Sequence, residues 1–182
     1  MKDKLQIGDF RKKLAFRIDK GVSIAVYLFH FLERYKIDWD VYLPSIGKNL
    51  QRPFVWTLKQ KQELIISVLK GIKIPSISVI LHDNIDSSKN VYKIIDGKQR
   101  LSSLIGFLKG EFPIEWEGKE YYYNDLGESA QGEIRFYGVI GDLAYEDDSF
   151  PISDEQKIAW FEMINFAGTP QDEEHLKALK TK

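Results

Sequence analysis

No cysteine occurs among the 182 residues. Disulfides, thiolate nucleophiles and every zinc or iron–sulfur site that needs a thiolate are thereby excluded, and an intracellular home becomes the default expectation. A long hydrophobic run is also missing. The longest, Gly21 to Leu32, contains His30 and falls well short of the ~20 residues a membrane span requires. The N-terminus (Met1-Lys-Asp-Lys-Leu-Gln-Ile-Gly-Asp-Phe10) has neither the apolar stretch nor the small-residue cleavage site of a signal peptide, so the expectation is a cytoplasmic protein with no membrane partner. Large net charge is absent too: 26 basic and 27 acidic residues leave −1, which by itself announces no nucleic-acid partner.

What is present is material for a core. Hydrophobic residues make up 43% of the chain, with four Trp, nine Tyr and eleven Phe, which excludes global disorder and fits about one domain at the usual ~100 to 200 residues per domain. The neutral total also hides a division. Residues 1–110 carry 20 Lys and Arg against 10 Asp and Glu, whereas residues 111–182 carry 6 against 17. Such asymmetry points to a face made for anions or to two lobes that attract each other.

Periodicity predicts a mixed α+β fold. Leu58 to Lys70 has Leu64, Ile65, Val68 and Leu69 at helical spacing with Gly71 to end it, and Gln99 to Lys109 repeats the pattern before Gly110. Ile77 to Leu81 and Val91 to Ile95 read as strands separated by a polar loop, Asn84 to Asn90. Phe112 to Trp116 and Glu120 to Tyr123 read as a hairpin around Glu117-Gly118, and Glu133 to Ile140 as a further strand. Ser153 to Asn165 opens with a capping box, and Thr169-Pro170 starts a last helix. Residues 1–45 form a basic N-terminal segment with a helix around Val22 to Arg34, and residues 46–182 form the main unit.

The chemistry concentrates at Tyr92-Lys-Ile-Ile-Asp-Gly-Lys-Gln-Arg-Leu101, where a buried strand turns at once into a helix. A helix N-terminus presents unpaired N–H groups and positive dipole, which suits a phosphate. Gly97 lets a backbone approach a ligand, Lys98 and Arg100 supply cations, and Gln99 supplies a neutral donor. Asp96 is suited to hold Mg²⁺ near phosphates or to orient a water. The bland reading is that Asp96 and Gln99 form a capping box, which alone stabilises a helix by ~1 kcal/mol. It leaves Lys98 and Arg100 unexplained, because cations oppose the dipole at that end unless an anion is present.

Two further segments accompany it. In Asn49-Leu-Gln-Arg-Pro-Phe-Val-Trp56, Pro53 holds Arg52 extended, and Arg52 either grips a phosphate or packs over Phe54 or Trp56. In Trp160 to Pro170, Asn165 and Gly168 lie between two helices, where a helix end and a cap account for them equally well.

Together the three segments resemble the N-terminal domain of GmrSD-type modification-dependent restriction endonucleases, a family related to the ParB/sulfiredoxin fold. The motifs that carry the resemblance are Gln51-Arg-Pro-Phe-Val-Trp56, Asp96-Gly-Lys-Gln-Arg-Leu101 and Asn165-Phe-Ala-Gly-Thr-Pro170, in the family's order and spacing from about Leu50 onward. The resemblance implies a ParB-like mixed sheet flanked by helices that binds and hydrolyses nucleoside triphosphate and couples this to sensing modified or foreign DNA. It implies Asp96 and Arg100 as catalytic residues, Asp96 also as the Mg²⁺ ligand, and Gln51, Arg52, Gly97, Lys98, Gln99 and Asn165 as nucleotide contacts. Lys98 departs from the family's usual Gln. Relatives carry a following His-Asn-His nuclease domain; with only His30, His82 and His175 here, none in metal-ligand spacing, that domain is expected to be missing and its work to fall to a separate nuclease or effector subunit.

The competing readings are a ParB-like DNA-binding or regulatory module without catalysis, using the cations of residues 1–20 and 48–73, and a metal-dependent nuclease built on Glu117 and Lys119. His30 and His175 read as a packed residue and a solvated one. Tyr121 to Tyr123 read as alternating core and surface, and Asp147-Asp148 and Asp172 to Glu174 as solvated charge.

Overall fold

The computed structural model describes residues 16–25, 36–84 and 90–167. These form an α+β fold on one five-stranded sheet. In chain order the elements are β1 (Ile18–Ala25), β2 (Lys36–Asp38), β3 (Tyr42–Leu43), β4 (Lys48–Asn49), α1 (Leu58–Leu69), β5 (Ile77–His82), β6 (Val91–Asp96), α2 (Lys98–Leu108), β7 (Ile114–Trp116), β8 (Lys119–Tyr121), α3 (Glu128–Arg135), β9 (Val139–Glu146) and α4 (Asp154–Ala167).

The sheet order is β1-β9-β5-β6-β2. The central pair β5–β9 is parallel, β5–β6 and β1–β9 are antiparallel, and β2 joins β6 in parallel over Lys36–Asp38. The mixed pattern explains the near-continuous apolar runs of β5 and β6, because their strands are covered on both faces. Val79, Ile94 and Leu143 face one core with Leu64, Ile65, Leu101, Leu104 and Phe107. Their neighbours Ile80, Ile95 and Ala144 face a second core with Leu43, Leu50, Trp160 and Phe161. Period-2 alternation thus splits each central strand between two cores, one under α1 and α2 and one under α4 and the β3–β4 loop.

Both early helix expectations hold. Thr57 caps α1 through a reciprocal box with Gln60, whose side chain accepts the Thr57 amide at 2.9 Å. The Ser153 capping box opens α4 in the same way, Gln156 accepting the Ser153 amide at 2.9 Å. The β7–β8 hairpin turns on Glu117 and Gly118, both with positive φ, which is the turn whose twist matches the strands.

Three expectations change. Of the strand expected over Glu133 to Ile140 only Val139 and Ile140 are extended: Glu128–Arg135 is helical, with acidic Glu128 in its first turn, Arg135 in its last and Ile134 buried. The strand begins at Val139 and runs on through Gly141, which disguised it. A side chain at Gly141 would collide with Ile24 and lie 2.5 Å from the Ile77 carbonyl, so the close approach of β1 and β5 demands glycine there. The helix expected around Val22 to Arg34 starts inside β1, so Val22–Ala25 are extended; the remainder lies outside the described residues, as do residues 85–89 of the polar loop, His30, His175, Asp172 to Glu174 and the Gly168-Thr-Pro170 segment. The third change, at Asp96 and Gln99, belongs to the site.

Candidate functional site

At the end of β6 the β5–β6 ladder carries a bulge. Ser78 pairs with Asp96 and Val79 with Ile94, so Ile95 is the residue left over. Gln51, buried, supplies what the ladder cannot: its amide donates to the carbonyls of Ile94 and Ile95, at 3.0 and 2.5 Å. The first motif therefore begins as a brace on the strand that carries the second.

After the bulge, Gly97 takes φ +96° and serves as the α2 N-cap without a side-chain bond. A Cβ at Gly97 would overlap Ile77 Cγ2 and sit 2.8 Å from Ile77 Cβ, so the strand-to-helix turn packs directly on the start of β5. The expected Asp96–Gln99 capping box is not formed. Asp96 instead accepts from Arg100 Nη2 at 2.6 Å, and Gln99 turns outward to the first motif. There its side-chain carbonyl accepts the amides of Val55 and Trp56, at 3.0 and 3.2 Å, while its amide nitrogen donates to the Pro53 carbonyl at 3.3 Å. Glutamine can do this because one side chain carries both donor and acceptor, matching the mixed polarity of an irregular loop.

The two cations of the first turn find anions within the chain. Lys98 Nζ bonds Asp40 Oδ1 at 2.5 Å and the Arg52 carbonyl at 3.1 Å. Arg100 Nη2 bonds Asp96 and the Ser76 carbonyl, the latter at 2.9 Å, while its Nε is buried without an acceptor among the described residues. Arg100 also walls a cavity of about 160 Å³ with Ser76, Leu104, Tyr137 and Val139. Burial pushes the Tyr137 phenol above its ordinary range, and the Arg100 charge partly pulls it back.

Of the sequence-expected residues, Gln51, Arg52, Gly97, Lys98, Gln99, Asp96 and Arg100 come together in this interlock. Arg52 contributes its carbonyl; its guanidinium has no hydrogen-bond or ion-pair partner among the described residues, and the Phe54 ring expected beneath it is covered by Lys61 Nζ at 4.6 Å. Asn165 is buried in α4, where its amide donates to the Phe161 carbonyl at 2.7 Å, a bond within its own helix. Among the described residues no group of three His, Asp or Glu is placed to hold a metal, and Glu117 and Lys119 sit at the tip of an exposed hairpin.

Sequence reasoning missed two features. One is Asp40, the counterion of Lys98. The other is a buried ionic cluster at the opposite end of the sheet, where Glu146 meets Lys93, lies 3.7 Å from Lys157 Nζ and 3.4 Å from His82, and accepts the Ile152 amide at 3.1 Å. Burial alone would raise the Glu146 carboxyl, but the Lys93 hydrogen bond, the charges of Lys93 and Lys157 and the Ile152 amide outweigh it and hold the group below its ordinary value. Nothing in the sequence separates these residues from ordinary surface charge; only the strand register brings them together.

No helix among the described residues is long and apolar enough to cross a membrane. No curated protein and no solved structure matches the chain. Residues 28–179 match the family model described as "GmrSD restriction endonuclease, N-terminal domain". With that match spanning most of its length, the chain belongs to the GmrSD N-terminal domain family and is a component of a restriction, phage-defence system.

Proposed function

We propose that the chain binds and hydrolyses nucleoside triphosphate, with the phosphates over the first turn of α2, and that this step informs a separate nuclease or effector subunit about DNA. The observation that carries the reading is the interlock: Gln51 braces the end of β6 and Gln99 fixes the Val55 and Trp56 amides against the α2 N-terminus, which brings the Arg52 carbonyl onto Lys98 and leaves the Arg52 guanidinium without a hydrogen-bond or ion-pair partner among the described residues. Three cations at a helix N-terminus suit a polyphosphate better than they suit one another.

In this reading Arg52, Lys98 and Arg100 bind and orient the phosphates, and charge developing on them in the transition state is stabilised by the same groups. Asp96 orients a water or hydroxyl from its place against Arg100. Mg²⁺ fits only modestly. Among the described residues no group of three acidic or histidine side chains is placed to hold it, so beside Asp96 phosphate oxygens and water would complete its shell, a pattern that ion accepts. When bound, it neutralises phosphate charge. Gly97 keeps the turn tight against Ile77, and Asn165 steadies the end of α4.

Steady-state hydrolysis and equilibrium nucleotide binding of Asp96→Ala and Arg100→Ala test the assignment. Wild-type values in both variants would remove it. A DNA-binding module without catalysis is favoured by one observation: α1 carries Lys59 and Lys61 with Glu63 as its one acid, and Lys70 and Lys73 follow it, exposed. Filter binding at two salt concentrations separates that reading, since phosphate contacts weaken steeply with salt.

A further inference from the structure

The Lys98 ammonium is already bound to an anion, and the way that anion is held suggests a role. Asp40 follows Asp38, whose carboxylate accepts the amides of Asp40 at 3.2 Å and of Val41 at 2.9 Å. The Asp40 carbonyl accepts the Gln51 amide at 3.0 Å, and the Val41 carbonyl accepts the Leu50 amide at 3.0 Å. Val41 is fully buried at φ +51°, a conformation that costs a β-branched residue free energy and persists only where the surroundings enforce it. The backbone of Asp40 is therefore fixed on both sides. Its carboxylate is different: it is 56% exposed and bonds Lys98, whose own side chain is only 11% exposed. A fixed backbone with a rotatable, half-solvated carboxylate on a nearly buried ammonium is a displaceable counterion.

We propose that Asp40 occupies, on Lys98, the place of an incoming phosphate oxygen, and so sets how strongly an anion must bind before it is admitted to the site. This rests on the nucleotide reading and adds a residue that the motifs do not contain. The charge balance supports it. Lys98 and Arg100 are matched by Asp40 and Asp96, so the first turn of α2 is neutral as it stands, and a phosphate takes over the Lys98 charge as the Asp40 carboxylate rotates to water. With the Asp40 carboxylate half in water, its hydration offsets much of what leaving Lys98 costs, which lets a multiply charged ligand take its place. Lysine at 98 makes the device workable, because its three donors let it keep the Arg52 carbonyl while exchanging one anion for another.

The test is calorimetric titration of the full chain with ATP and with GTP. The proteins are the wild type, Asp40→Asn, Lys98→Gln, the double variant, and Glu120→Gln as an exposed carboxylate removed elsewhere. Removing a like charge a few ångströms from the bound phosphate is expected to tighten binding about tenfold in Asp40→Asn. The gain should vanish in the Lys98→Gln background and be absent in Glu120→Gln. Unchanged or weaker binding in Asp40→Asn overturns the proposal while wild-type binding leaves the nucleotide reading intact, and so does an equal gain with Lys98→Gln or Glu120→Gln. Absence of binding in every protein removes both.

Discussion

Gln51 donates its side-chain amide to the carbonyl of Ile95 at 2.5 Å, and Ile95 is the residue that the β5–β6 ladder skips. The relationship ties the first motif to the second through the backbone of the strand that carries it. A bulge turns the end of β6 toward α2, and the buried glutamine satisfies the carbonyl the bulge would otherwise strand. Position 51 needs a donor of that length. Gln51→Ala and Gln51→Glu should each cost about 2 kcal/mol, because neither leaves a reliable donor for two buried carbonyls. Urea unfolding measures it as a lower midpoint at constant slope, and an unshifted midpoint would refute the brace.

Gln99 admits a finer test, since its carbonyl and its amide do different jobs. Glutamate at 99 retains the acceptor for Val55 and Trp56 and loses only the long bond to Pro53, whereas alanine loses all three. Gln99→Ala should therefore accelerate hydrogen exchange at the Val55 and Trp56 amides while Gln99→Glu leaves them protected. Equal exchange in the two variants would contradict the interlock.

Gly97→Ala places a methyl group inside the packing radius of Ile77 and at a φ that alanine disfavours. About 3 kcal/mol of stability should be lost, combining overpacking with backbone strain. Thermal unfolding reads this directly; a Tm within a degree of wild type would show that the turn has slack.

The Glu146 cluster makes a pH prediction. Its carboxyl is held below the ordinary value of about 4.5 in the folded chain, so it binds fewer protons folded than unfolded. The stabilisation it supplies is complete above that ordinary value and is lost as pH falls through the lower, folded one. Glu146→Gln leaves Lys93 and Lys157 without their buried anion and should cost about 3 kcal/mol at neutral pH. Below the folded value the two proteins should converge. A constant difference across the acid range would show that the cost is one of shape.

Both central helices, the β5 and β6 strands and the β7–β8 hairpin were legible because each carries its own period and its own stop signal. Glu133 to Ile140 misled because Ile134 and Val139 belong to different elements, and because β9 passes through a glycine that the neighbouring strands require. At the site, motif spacing found Gln51, Arg52 and the Asp96–Arg100 turn. It did not reveal that Asp96 holds Arg100 rather than capping α2, since both choices look alike at three- and four-residue spacing. Asp40 and Glu146 were invisible for another reason: their partners lie 58 and 53 residues away, and only folding sets those distances.

The most direct measurement is an equilibrium titration of the wild type and Arg52→Ala with ATP and GTP, with and without Mg²⁺, read by thermal stability. The Arg52 guanidinium makes no hydrogen bond or ion pair among the described residues, so the variant should melt close to the wild type without ligand. At a hundred times its Kd a nucleotide adds ~2.7 kcal/mol to the folded state. That gain should appear in the wild type and be largely lost in Arg52→Ala; no gain with either nucleotide, or the same gain in both proteins, would contradict a phosphate site at the start of α2.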